Sequence, residues 1–205
     1  MSGDSLTPSC GSLTFDCEGQ EGGPFHSRVL HVPTASSGLT LGRGYDMKER
    51  TRSAVRDHLR EVGLDPAMAA LLSQAAGRSG PGAEEFIAEN DLEDFEISVL
   101  QQIALFDIVY GEIEADARRL ATKSDVTRVY GATDWAALDP AIRDMLIDLR
   151  FRGDYTPGCR RFLQRHVAAN DLEAFAAEIA NRDRWPNVPP DRFNRRRDFC
   201  SAALR

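Results

Sequence analysis

Two carboxylates, a hydroxyl and a glycine-rich turn stand out in the first quarter of the chain. Glu18 closes a short apolar stretch containing Leu13 and Phe15 and is followed at once by glycine, in "FDCEG". The phrase "LTLGRGYDM" (39–47) then sets Thr40, Gly42, Gly44, Tyr45 and Asp46 close together. A carboxyl beside apolar groups can stay protonated and act as an acid, and a second carboxylate can act as a base. A threonine hydroxyl can hold a water molecule. Glycines let the backbone turn sharply and pass close to a bound chain. Each residue also has a plain structural reading. Glu18 reads as an exposed helix-end glutamate, Asp46 as the N-cap of the next helix, and Thr40 as a β-branched strand residue. Tyr45 reads as a residue packed under the turn, and His31 as an ordinary strand histidine.

The elements that must position these groups follow from periodicity. A short helix is expected within 10–18. "RVLHV" (28–32) and "GLTLG" (38–42), joined by "PTASS", read as a small hairpin. Val55, Leu59 and Val62 recur at helical spacing, and Asp65-Pro66 is a cap followed by proline at the first helical position. A short helix is expected near 84–88. The strongest pattern covers 96–121, where Val99, Ile103, Phe106, Val109, Tyr110, Ile113 and Ala117 share one face. Four further helices are expected at 138–153, 157–169, 171–181 and 189–204. The hairpin is too small to stand alone, so it leans on helices, and such an arrangement makes a cleft.

The 205 residues suffice for one domain with a substantial core. With 42% hydrophobic and 28% charged residues the composition is that of a globular protein, and no apolar run spans a bilayer. The net charge of -7 opposes broad nucleic-acid binding, and the arginines of "DRFNRRRDF" read as a solvated helix face. No signal peptide is visible at the N-terminus. Cys10, Cys17, Cys159 and Cys200 form no metal-knuckle spacing. They read either as two disulfides, with Cys17 and Cys200 the first pair to inspect, or as small buried hydrophobes.

"FDCEG" followed by "LTLGRG" resembles the phage-type lysozymes, in which an E-G pair closes the first helix and a small sheet carries a T-[IL]-G-x-G phrase. The extension to T-x-G-x-G-Y-D looks closer still to the lysozyme-like domain of pesticin-type bacterial toxins. There the aspartate six residues beyond the threonine is catalytic, a position held here by Asp46. "LDPAIRDMLIDLRFRGDY" and "NRDRWPNVPPDRFNRRRDF" resemble the opening and closing regions of the family's C-terminal lobe. The phage enzymes also carry an aspartate before the threonine, whereas "HVPTASSG" holds no carboxylate.

The resemblance implies an α+β, mostly α, lysozyme-like fold in a single domain over 1–205. Its parts would be a loose N-terminus (1–12), a lobe with the hairpin (13–95), a linking helix (96–121) and a helical lobe (122–205). It implies a muramidase cutting the β-1,4 bond between N-acetylmuramic acid and N-acetylglucosamine in peptidoglycan. Glu18 would be the acid, with Asp46 and Thr40 holding water for an inverting displacement. Tyr45, Gly42, Gly44 and His31 would contact substrate. Arg192 would pair with the catalytic glutamate. No cofactor, metal, membrane or nucleic acid is implied. Expected partners are bacterial peptidoglycan and an immunity or inhibitor protein, for a monomer secreted or delivered to a target periplasm as a toxin, effector or lysis enzyme. A glycosidase acting on chitosan or chitin, and a catalytically dead peptidoglycan-binding module, are the alternatives.

Overall fold

The reason the chain reverses at Gly42–Gly44 is conformational. Both glycines take positive φ, 60° and 93°, which a side chain would resist. Strand β1 (Thr40–Leu41) therefore pairs antiparallel with β2 (Tyr45–Asp46), Thr40 opposite Asp46 and Leu41 opposite Tyr45. This places the ladder one segment later than the expected 28–32/38–42 hairpin. Of the expected first strand, single bridges remain: His31 to Thr40, and Val29 to Glu96.

A computed structural model describes residues 7–23 and 26–205. Residues 1–6 of the expected loose N-terminus lie outside the described residues, and Ser12 already belongs to a helix. The chain is mostly helical with this one two-stranded sheet among the described residues. It divides into two compact units, Met1–Val109 and Tyr110–Arg205.

The first unit holds α1 (Ser12–Cys17), the sheet, α2 (Arg52–Glu61), α3 (Pro66–Leu72) and α4 (Pro81–Glu89). The next helix, α5 (Val99–Thr122), contains the point of division. At about 1.5 Å per residue it is roughly 36 Å long. Helix α2 starts where Thr51 accepts a hydrogen bond from the Ala54 amide. Asp46 is therefore not the N-cap of that helix. Asp65 caps α3 through the Ala67 and Met68 amides, ahead of Pro66. Such caps contribute about 1 kcal/mol each. The core collects Phe15, Leu41, Tyr45, Met47, Leu59, Leu72 and Phe106. Burying each large apolar side chain is worth roughly 1.5–3 kcal/mol.

The second unit adds α6 (Ser124–Tyr130), α7 (Pro140–Arg152), α8 (Pro157–Ala169), α9 (Leu172–Ala180) and α10 (Pro190–Ala203). Asp139, Thr156 and Asp171 cap α7, α8 and α9. Ile142, Leu146, Leu149, Leu163, Phe175 and Trp185 form its core. Helix α6 escaped the periodicity reading because it is short and buries only Val126.

Two of the four arginines of α10 correct the expectation of a solvated face, while Arg195 and Arg197 fit it. Arg192 and Arg196 are buried, and both donate to Asp148 of α7 at 2.6 Å. Arg196 also reaches Asp154 at 2.8 Å. No disulfide joins Cys10, Cys17, Cys159 or Cys200, so of the two readings of the cysteines the disulfide one, with Cys17 and Cys200 as its first pair, falls. Burial pushes the Cys159 and Cys200 thiols up to about 12, so both behave as small hydrophobes. Among the described residues no helix is long and apolar enough to cross a membrane.

Candidate functional site

Helix α1 is short because its residues allow only one good turn and a half. Gly11 enters it in the left-handed region, Phe15 anchors it edge-on against Phe106 with ring centres 5.0 Å apart, and Glu18 leaves it. The Glu18 amide still bonds the Thr14 carbonyl at 3.0 Å, which fixes where the side chain emerges. The next residue must be glycine. A β-carbon on Gly19 would stand 2.4 Å from Ser27 Oγ and 2.6 Å from Arg43 Cγ. The E-G pair thus lets Ser27 and the hairpin turn, through Arg43, close on the end of α1.

The closure leaves a cleft of about 790 Å³. Cys17, Glu18, Gly19, His26, Ser27 and His31 are among its walls. Glu18 is partly buried there. This volume falls within the roughly 300–1,000 Å³ of ordinary ligand sites.

A charged network supports the cleft. Arg43, at the tip of the G-x-G turn, lies 3.8 Å over the Phe15 ring, donates to the Phe15 carbonyl and reaches Glu21 at 3.4 Å. Glu21 also accepts from Gln102 at 2.6 Å and from Arg28 at 2.9 Å. Arg28 pairs in turn with Glu96, which stands 3.1 Å from His26 Nε2. Burial pushes the Glu21 carboxyl upward, but the bonds from Gln102, Arg28 and Arg43 outweigh it and hold the group below its ordinary value. Glu21 is therefore a fixed anion and unsuited to be an acid. Sequence reasoning selected none of these residues. The usable signal was an arginine set between two glycines that both need positive φ.

The phrase 39–47 is built differently from its expected role. Tyr45 is fully buried, with its hydroxyl 3.0 Å from His58 Nδ1 and Arg50 over its ring, so it supports the core and not a ligand. Gly42 is buried and Gly44 exposed. Their positive φ values make the turn that aims Arg43 inward onto Phe15. Thr40 is 4% exposed, and its hydroxyl donates to the Gly38 carbonyl at 3.1 Å. Asp46 accepts from the Gly38 amide at 3.0 Å and from the Lys48 amide at 2.7 Å, one on each oxygen. Its carboxylate fastens the loop around the hairpin.

Register nevertheless brings the expected residues into one row. His31 and Thr40 exchange both backbone hydrogen bonds, at 3.1 and 2.8 Å, and Thr40 lies opposite Asp46. Residues directly opposite across antiparallel strands share a face. His31, Thr40 and Asp46 therefore form a row on one face of the small sheet. His31 Nδ1 lies 2.7 Å from the Val29 carbonyl. In the second unit Arg192 donates to Asp148, an assignment that accounts for its burial.

Two carboxyls missed by sequence reasoning are pushed up by burial. Asp107 of α5 has a buried Oδ1 without a hydrogen-bond partner among the described residues. In the second unit, burial raises Asp144 against the opposing hydrogen bond from Tyr110. Their legible signal was an acid placed within an otherwise apolar helical run.

Residues 11–197 match the model of a family described as Domain of unknown function (DUF8812), and the chain belongs to that family. No curated protein matches the chain.

Proposed function

We propose that this member of the DUF8812 family is a lysozyme-like peptidoglycan hydrolase. It would cut the β-1,4 bond between N-acetylmuramic acid and N-acetylglucosamine, with Glu18 as general acid. The observation that carries the reading is the placement of Glu18. It ends α1 in the wall of a cleft of ligand size, before a glycine that packing keeps free of a side chain. The hairpin with the T-x-G-x-G-Y-D phrase is locked onto the same helix through Arg43 and the Phe15 carbonyl. Glu18 would protonate the glycosidic oxygen while water adds at the anomeric carbon. A protein of this activity serves as an antibacterial toxin, an effector or a lysis enzyme. It acts on the wall in the periplasm or outside the cell, with an immunity or inhibitor protein as natural counterpart.

The test is digestion of purified sacculi, with mass spectrometry of the fragments to name the bond cut. Soluble chitosan in a parallel reaction separates a muramidase from a chitosan-directed glycosidase. Glu18→Gln is expected to lower cleavage by about 10²–10⁴-fold with an unchanged melting temperature. Retention of more than half the wild-type rate removes Glu18 from the mechanism.

A second reading has one observation in its favour. Both Asp46 oxygens and the Thr40 hydroxyl are engaged by the backbone. A module that binds glycan without cleaving it needs neither. Binding of wild-type protein to sacculi without release of new reducing ends would establish that reading.

A further inference from the structure

We infer that His31 is the catalytic base that takes the proton from the attacking water; the inference rests on the muramidase reading above. The row His31–Thr40–Asp46 on one sheet face offers three candidates for that step. Two of them already serve the backbone, although a carboxylate bonded once on each oxygen keeps further lone pairs. Asp46 accepts a backbone amide on each oxygen, and Thr40 uses its hydroxyl proton on the Gly38 carbonyl. His31 differs. A carbonyl can only accept, so the 2.7 Å contact with Val29 requires the proton on Nδ1. In the neutral ring this tautomer leaves the lone pair on Nε2. Among the described residues Nε2 has no hydrogen-bond partner. His31 lines the same cleft as Glu18.

The arrangement has the parts of a base oriented by a second group. The Val29 carbonyl holds the ring, and the paired strand backbone holds the residue. In the step, the water oxygen bonds to the anomeric carbon as its proton passes to His31 Nε2. The glycosidic C–O bond breaks, and the leaving oxygen takes the Glu18 proton. One water is consumed and two hydroxyl ends are formed. The anomeric configuration inverts, and transfer of a proton from His31 to solvent and from solvent to Glu18 restores the site. The absence of a carboxylate in "HVPTASSG" then has a chemical counterpart, since the base in that segment is an imidazole.

His31→Asn tests the assignment. Its amide can still donate to the Val29 carbonyl in place of Nδ1, but it offers no basic nitrogen where Nε2 stood. With soluble glycan strands as substrate, kcat is expected to fall about 10²–10⁴-fold while KM stays within a few-fold. His31→Gly, assayed with added imidazole, is expected to regain part of the lost rate in proportion to imidazole concentration. Wild-type product examined by proton NMR is expected to appear first as the α-anomer. The assignment is overturned, with the muramidase reading intact, if the wild type cleaves and His31→Asn keeps more than half of its kcat. It is overturned as well by a β-anomer as first product. If the wild type releases no reducing ends, the muramidase reading itself fails and takes the base with it. Circular dichroism of both variants separates loss of fold from loss of chemistry. An unfolded His31→Asn would leave the decision to imidazole rescue of His31→Gly, with no rescue counting against the assignment.

Discussion

Two sets of charges, one in each unit, show opposite uses of similar residues. In the first unit Glu21, Arg28, Arg43, Glu96 and His26 join in a chain whose carboxylates stay partly exposed, beside an open cleft. In the second, Asp148 is fully buried between Arg192 and Arg196, and Asp154 completes the cluster. The difference is solvent. A network with partly exposed carboxylates adjusts more cheaply and can exchange a partner for a ligand, because solvent-exposed pairs are worth at most about 1 kcal/mol. A buried cluster has already lost its hydration, so removing one member strands the others. The first set shapes a site; the second closes α7 onto α10.

The sharpest way to break this contrast is Asp148→Ala. Arg196 would keep only Asp154, and Arg192 would lose its Asp148 bond. Breaking a buried pair costs about 3–5 kcal/mol. Urea unfolding is expected to show a loss of that size. A loss under about 1 kcal/mol would place the cluster with the surface network instead.

Next in size is Asp46. Its two amide bonds hold the hairpin loop, and hydrogen bonds to a charged group contribute about 1.5–3 kcal/mol. Asp46→Ala is expected to lose on that order. Asp46→Asn should lose part of it, because one of its two terminal atoms is a donor facing an amide. An Asp46→Asn variant that melts like wild type yet loses all cleavage would restore Asp46 as a base and count against His31.

Gly19→Ala probes the cleft directly. The new methyl must displace Ser27 Oγ and the Arg43 stem, and overpacking of this kind costs about 1–3 kcal/mol. Cleavage of sacculi is expected to fall with it, since Ser27 lines the cleft beside Glu18. Unchanged melting and unchanged cleavage together would show that the loop yields and that the glycine is incidental.

Much of the frame was readable in the sequence, for local reasons. Asp65-Pro66, Asp139-Pro140 and Thr156-Pro157 each combine a cap with a proline suited to the first turn, and each starts a helix. The long helix was readable because its apolar face repeats over many turns. The G-x-G turn was readable as a turn, but its direction was not. Whether Arg43 points at a ligand or back at Phe15 depends on contacts 28 residues apart in the chain. The inward arginines of α10 were hidden for the same reason. Charges on a helix read as solvated unless a distant counter-charge is known, and the only hint was Asp148 inside the apolar run "MLIDLRF". In the candidate site, Glu18, Thr40 and Asp46 could be marked from their phrases, but the pairing of Thr40 with Asp46 could not, because 28–32 competed as the partner strand. The tautomer of His31 could not, because it depends on a backbone carbonyl.

The smallest effect is expected at Asp144, where the sign and not the size carries the information. Burial raises its carboxyl, Glu114 adds to the rise, and the Tyr110 hydroxyl and Arg143 oppose it. In the unfolded chain the group ionises near its ordinary value of about 3.9. Below that value both states are protonated and Asp144 carries no penalty. As pH climbs from there to the raised folded value, the unfolded chain gives up its proton first, so wild-type stability falls relative to a variant that cannot ionise. Above the folded value the penalty is complete. Asp144→Asn keeps an oxygen to accept from Tyr110 and removes the charge. It is therefore expected to melt higher than wild type at neutral pH, with the gap closing as pH is lowered toward 4. Thermal melts of both proteins across that range measure the gap. A variant that melts lower than wild type at neutral pH would mean that Arg143 and Tyr110 favour the charge more than burial opposes it. Asp144 would then belong with Asp148, as an anion the second unit is built to hold.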